Sequence, residues 1–507
     1  MKLPILVMAG VIAAGSAMAA PPQQMSPSDV RHLLTRTGFT PSPTEVAPWV
    51  GMSAQAAVDK LLADARRAQP LHPAPAFTRE AIQTPYGRLA DDEARKAARQ
   101  QARAETIELA AWWLQEMRDT PTPLAERMTL FWHNHFATSM QKVQQPQGMY
   151  FQQQLFRQQA LGSFLDLLHS VARDPAMLIY LDGAANRAQA PNENFAREVM
   201  ELFTLGEGQY SERDIKEAAR AFSGWTVDRQ SWRAQLRPRL HDDEAKTLFG
   251  RTARFDTDSA LDAMLEQPAA ARFITTKLWR EFVSPTPNAA SVERIASRFR
   301  GSGWRIDAAL RDLLLSDEFW APQTRAALIK SPVELAVGTL RQFDIQLDSA
   351  LPLVAVTSRL GQMLFLPPNV KGWPGYTDWI NSTSLLDRKR FTERLFRALE
   401  VGSDGAMNPS ASLMVREMIQ EAKSGERRAL RQARMESAGG QGFGMRFDAE
   451  AWLKPLGAWP DREPDAAAQA QIFAAVLAAP AVNPVPAGTV GLSYLRALSL
   501  DPAFQLK

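Results

Sequence analysis

With 507 residues and a mass of 56.2 kDa, the chain exceeds the usual span of one compact core, so two or more packed units are expected. Hydrophobic residues at 45% and charged residues at 22% fit an ordinary folded protein, and 58 basic against 55 acidic side chains give a net charge of +3, too even to mark a nucleic-acid surface. Cysteine is absent, which excludes disulfides, thiolate metal sites, iron–sulfur clusters and a cysteine nucleophile.

Residues 1–19 read as an export signal: Lys2, an apolar run from Leu3 to Ala14, and Ala17-Met18-Ala19 as a small-x-small cleavage pattern before Ala20. A periplasmic or secreted location follows, with residues 20–27 as a Pro-rich linker. No later stretch approaches eighteen apolar residues, so no membrane span is expected after cleavage.

From there the pattern is helical. Short helices are predicted over Ser28–Leu34, Thr44–Val50 and Ser53–Leu62, each behind a capping residue. Leu89–Arg118 reads as a long helix, charged at first and apolar at Leu109, Trp112, Trp113 and Met117; Leu124–Phe136 resumes the period after Pro121 and Pro123. Gly148–Val171 reads as one or two helices around Gly162. Asp174–Asp182 reads as a tight connection through Pro175 into a short apolar segment, and Asn192–Leu205 as a clear helix stopped by Gly206 and Gly208. Ser211 with Asp214 forms a capping box. The helical period lapses over residues 225–256, predicted as a β-ribbon or a long loop inserted in the body. Helices return over Asp258–Phe282, Val292–Phe299, Asp307–Leu315 and Pro332–Phe343, the last behind Ser331. Leu366–Asn381 is a Gly/Pro/aromatic loop, followed by a helix over Leu385–Leu399. The main body is thus 28–402, followed by a flexible stretch at 403–447 and a helical tail at 448–507. The fold class is mainly α, a multi-helix body with a small irregular or β insertion.

No phosphate loop, nucleophile elbow, zinc helix or dinucleotide fingerprint is present. Four polar clusters remain. His133 and His135, in Phe131-Trp132-His133-Asn134-His135-Phe136, project together from an extended segment but diverge by about 160° on a helix. Imidazoles so flanked are candidate metal ligands, or core side chains satisfied by backbone. Asn194, Glu198 and Glu201 share one side of the 192–205 helix, where carboxylates could join histidines around a metal or form a solvated face. His241, Asp242 and Lys246 lie in the insertion; they could meet a metal or an anionic group, or form an exposed turn. Trp373, Tyr376 and Trp379, in the string from Asn369 to Trp379, offer flat apolar faces for a sugar ring or peptide, or plugs between helices.

Taken in order, these strings resemble a bacterial family, domain of unknown function 1800. They are Arg31-His32-Leu33-Leu34, Leu130 to Phe136, Asp174-Pro175-Ala176-Met177, Pro191 to Glu198, Gly224-Trp225-Thr226-Val227, His241-Asp242 with Lys246, Lys330-Ser331-Pro332-Val333-Glu334 and Asn369 to Gly375. The resemblance covers roughly Ser28–Leu399. It implies export, and a companion exported protein of the family numbered 1501, which resembles sulfatases and alkaline phosphatases.

Two functions are carried forward. The first is metal-assisted hydrolysis of an unknown substrate, with His133, His135, Glu198, His241 and Asp242 holding a divalent ion and Glu193 as general base. Lys246, Trp373, Tyr376 and Trp379 would then bind substrate. The second is a non-catalytic envelope protein that binds a polysaccharide or the companion protein, its polar clusters locking helix packing. Neither involves nucleic acid.

Overall fold

The computed structural model describes residues 20–400 and 444–507. The expected export signal, and the expected flexible stretch as far as 443, lie outside the described residues. The fold is mainly α, with short antiparallel strand pairs. Helices start where the sequence supplies an acceptor. α1 (Pro27–Thr37), α2 (Pro43–Val46) and α3 (Ala54–Arg66) follow Ser26, Ser42 and Ser53, whose hydroxyls each accept the backbone N–H three residues on. α4 (Asp92–Asp119) buries mainly its second half, through residues such as Leu109, Trp113 and Met117. After Pro121 comes α5 (Pro123–His135), then α6 (Met140–Val143), α7 (Pro146–Gln159) and α8 (Phe164–Ala172), the last two separated at Gly162.

Two expectations need correction here. Asp174–Asp182 is not merely a connection: Asp174 accepts the Met177 N–H and starts a six-residue helix, α9 (Pro175–Tyr180). The helix over 192–205 is α10 (Glu193–Glu198) running into a π-helical turn, Val199–Thr204. The predicted capping box of Ser211 and Asp214 opens α11 (Glu212–Ala221).

The insertion is two hairpins. β1 (Trp225–Asp228) pairs with β2 (Arg233–Leu236), Trp225 opposite Leu236, and β3 (Lys246–Leu248) with β4 (Arg251–Ala253), Lys246 opposite Ala253. The predicted helix over 258–282 is split by Pro268 into α12 (Thr257–Leu265) and α13 (Pro268–Phe282). α14 (Ala289–Gly301), α15 (Ile306–Leu314), α16 (Asp317–Trp320), α17 (Pro332–Gln342), α18 (Leu351–Arg359) and α19 (Ser382–Glu400) complete the body. β5 (Gln346–Leu347) pairs with β6 (Met445–Arg446), so the chain is already anchored at 445. The tail adds α20 (Ala449–Leu453), α21 (Ala466–Val476) and α22 (Gly491–Ser499).

Two apolar cores result. One gathers α4, α17, α18, α19 and the tail, with Trp113, Phe343, Phe396, Trp452 and Phe504 among its members. The other gathers α1, α3, α8 and α10 to α15, around Phe164, Phe203, Trp279 and Phe299. α5 serves both: Leu130 lies in the first, and Met128, Phe131 and Trp132 in the second. The tail is tied back to α1, where Arg31 donates to the Leu477 carbonyl at 3.1 Å, and to α17, where Trp452 donates to the Gln342 carbonyl at 2.8 Å. Among the described residues no helix is long and apolar enough to cross a membrane.

Candidate functional site

The helical form of α5 decides what its histidines can do. Two positions apart on a helix they point to different neighbours. His133 is buried, and its Nε2 accepts the Phe365 N–H at 3.1 Å. Its ring packs on Trp113, Phe365 and Trp373. Burial lowers its pKa to about 3, so the imidazole is neutral. Between the histidines, Asn134 Oδ1 accepts the Trp373 N–H at 2.7 Å. His135 faces the π turn: its Nε2 lies 3.1 Å from the Phe203 carbonyl and its Nδ1 3.1 Å from Lys277 Nζ. Burial, reinforced by the Lys277 charge, holds this ring neutral too. Lys277 Nζ also donates to the Leu202 carbonyl at 3.0 Å. A cation here suits the carbonyl-rich end of the helical segment.

The remaining predicted site residues lie elsewhere. His241 Nδ1 is 2.9 Å from the Ser223 carbonyl. Asp242 is clamped by Arg220 at 2.7 and 3.2 Å. Burial raises the Asp242 pKa, but Arg220 and the Glu244 N–H outweigh it, so the carboxylate stays ionised. Lys246, expected to hold a ligand, is buried and donates to the Asp242 and Glu244 carbonyls at 2.5 and 2.9 Å, closing its own loop. Glu193, expected as general base, is ion-paired to Arg197 at 3.3 Å near the start of α10. Glu198 is half-buried; burial and the neighbouring Glu201 push its carboxyl up, while Lys371 pulls it down. Among the described residues no three His, Cys, Asp or Glu side chains converge as a metal shell. The donor set does not fit a shared ion, because each histidine is turned to a different backbone or side-chain partner.

What does converge is a cavity of about 240 Å³ along α5, lined by residues of α5, α13, α17 and the loop after α18. Asn134 and His135 contribute from α5, Glu334 from α17 and Ser331 from its cap, and Lys371, Trp373, Tyr376 and Trp379 from the loop. Trp373 and Trp379 are 4% and 7% exposed: they form walls rather than open platforms. Tyr376 is half-buried, and burial, with Glu281 nearby, raises its hydroxyl pKa well above the usual tyrosine value.

Sequence reasoning missed the charged lining. Arg127 and Lys277, with Arg280 and Glu281, sit on amphipathic helices where charges are routine, so only the tertiary fold marks them. Lys277 and Arg280 have no carboxylate partner among the described residues, and Lys371 pairs with Glu201 at 3.9 Å and also acts on Glu198. Burial lowers the Lys277 pKa to about 8, with Arg280 adding to the effect.

Neither a curated protein nor a solved structure matches the chain. A family model, Protein of unknown function (DUF1800), matches residues 32–483. That span contains every residue lining the cavity except Lys507. The chain belongs to the DUF1800 family.

Proposed function

We propose that this is an exported binding protein for an acidic polysaccharide, received in the cavity along α5. The observation that carries the reading is the pair Lys277 and Arg280, cations without a carboxylate partner among the described residues, with Lys371 only loosely paired to Glu201 at 3.9 Å, beside the Trp373, Tyr376 and Trp379 walls. Cations without a close partner attract anionic groups, and the half-buried Tyr376 ring offers its face to the apolar side of a sugar ring. The leader at 1–19 supports a place outside the cytoplasm. The separation of His133, His135, His241 and Asp242 among different partners favours binding over metal-assisted hydrolysis as the role of these residues.

The test is calorimetric titration of the mature protein with oligogalacturonate, a carboxylated sugar polymer, against neutral dextran. Saturable binding of the first alone is expected, at least tenfold weaker in Arg280→Ala/Lys371→Ala. Equal affinity for dextran, or an unaffected double variant, would overturn the reading.

A further inference from the structure

The floor of this cavity carries more buried positive charge than the fold neutralises. Arg127, from α5, is 2% exposed, and Lys507 is 6% exposed; both line the floor and both pair with Glu334. Behind them lie Lys330 and Arg388, 2% and 0% exposed. Arg388 donates to the Lys330 carbonyl at 2.9 Å and reaches Gln505 Oε1 at 3.2 Å. Glu334 is the buried acid common to these cations, and Glu281, 2.5 Å from Arg127 Nη2, is partly exposed. The Nε and Nη2 of both arginines remain without hydrogen-bond partners, so the Arg127–Glu281 approach is an ion pair lacking hydrogen-bond geometry. Isolated buried charge is costly, and unpaired donors add to that cost. Glu334 shows the imbalance from the other side, its pKa held well below the usual carboxylate value against burial by Arg127 and Lys507.

Around the whole cavity, five cationic side chains (Arg127, Lys277, Arg280, Lys371 and Lys507) line the wall with two carboxylates, Glu281 and Glu334, and Glu201 pairs with Lys371 from just outside, a side-chain excess of two. A single carboxylate would offset one of these. A phosphate monoester brings about two negative charges and three acceptor oxygens.

We propose that the cavity floor, formed by Arg127, Ser331 and Lys507, is a seat for a dianionic phosphate group. The inference rests on the reading of this cavity as an anion site and names the anionic group it takes. Glu334 then competes with the ligand for Arg127 and Lys507, so removing its charge strengthens binding. The ligand's other parts extend toward Lys277, Arg280 and the Tyr376 wall.

Calorimetry with inorganic phosphate, glucose 6-phosphate, galacturonate and glucose at pH 7 tests this on the mature protein, Glu334→Gln and Lys507→Met. Both phosphates should bind saturably and galacturonate at least tenfold more weakly than glucose 6-phosphate. Glu334→Gln should bind phosphate at least tenfold more tightly and Lys507→Met at least tenfold more weakly. Binding of inorganic phosphate alone also supports the seat, with the free anion as its ligand. Should Lys507→Met not fold, the opposite-signed Glu334→Gln result decides. No saturable phosphate binding, no gain in Glu334→Gln, or galacturonate preferred to glucose 6-phosphate would overturn it. Phosphate failing while oligogalacturonate binds removes this inference and leaves the polysaccharide reading standing. The reverse pattern removes the polysaccharide reading and keeps the seat.

Discussion

His133 is held neutral by the aromatic rings around it and by the Phe365 N–H it accepts. The free imidazole titrates near 6.5 and the folded one at about 3. The stability this shift contributes is therefore complete above pH 6.5 and is lost as pH falls through 3. His133→Leu leaves the Phe365 N–H unpaired in the core, which costs about 1–3 kcal/mol. Urea unfolding at pH 7 should show that loss, and the variant's stability should depend less steeply on pH between 6 and 4 than the parent's. At this scale the sequence was informative about kind and silent about direction. It marked His133, Asn134 and His135 as unusual, but nothing in positions 131–136 reveals that Asn134 meets Trp373 and His135 meets Lys277.

The loop that bears Trp373 keeps its shape through Gly372, whose φ of +85° is a conformation side chains rarely adopt. A Cβ there would lie 2.3 Å from Asn134 Oδ1 and 2.5 Å from the Asn134 carbonyl oxygen. Gly372→Ala should cost about 1–3 kcal/mol and, by moving Lys371 and Trp373, weaken oligogalacturonate binding at least tenfold; thermal melting and calorimetry check the two effects separately. Helix starts were the most legible elements, because capping is a local matter: Ser211 with Asp214 forms the box its spacing predicts, and Ser331 caps α17 as expected, with Glu334 completing a box there too. Where length or register decides, the sequence was ambiguous. Six residues over Pro175–Tyr180 are too few to show a helical period. The apolar pattern across Pro268 continues although the backbone does not. The π turn at Val199–Thr204 differs from an α-helix by one residue per turn, too little for its composition to reveal.

For the whole molecule, charge and burial make recognition depend on pH. Lys277 lies against His135 and Arg280, and its pKa is lowered from 10.5 to about 8 by burial; burial likewise lowers Lys507, beside Arg127, Glu334 and Glu281, to about 8. An anion binds the protonated amines, so affinity for oligogalacturonate should be full below pH 7 and fall as pH rises through 8. A drop of about tenfold between pH 7 and 9 is expected in calorimetry, smaller in Lys277→Arg, which keeps its charge. Composition announced a chain too long for one core, and two cores exist, but the cavity belongs to neither alone. It runs along α5, where Leu130 faces one core and Phe131 the other. Whatever occupies it therefore acts as a rivet through a seam. Seated between both halves, it would stabilise them together by mass action, so that capture of a ligand and resistance to unfolding become one event.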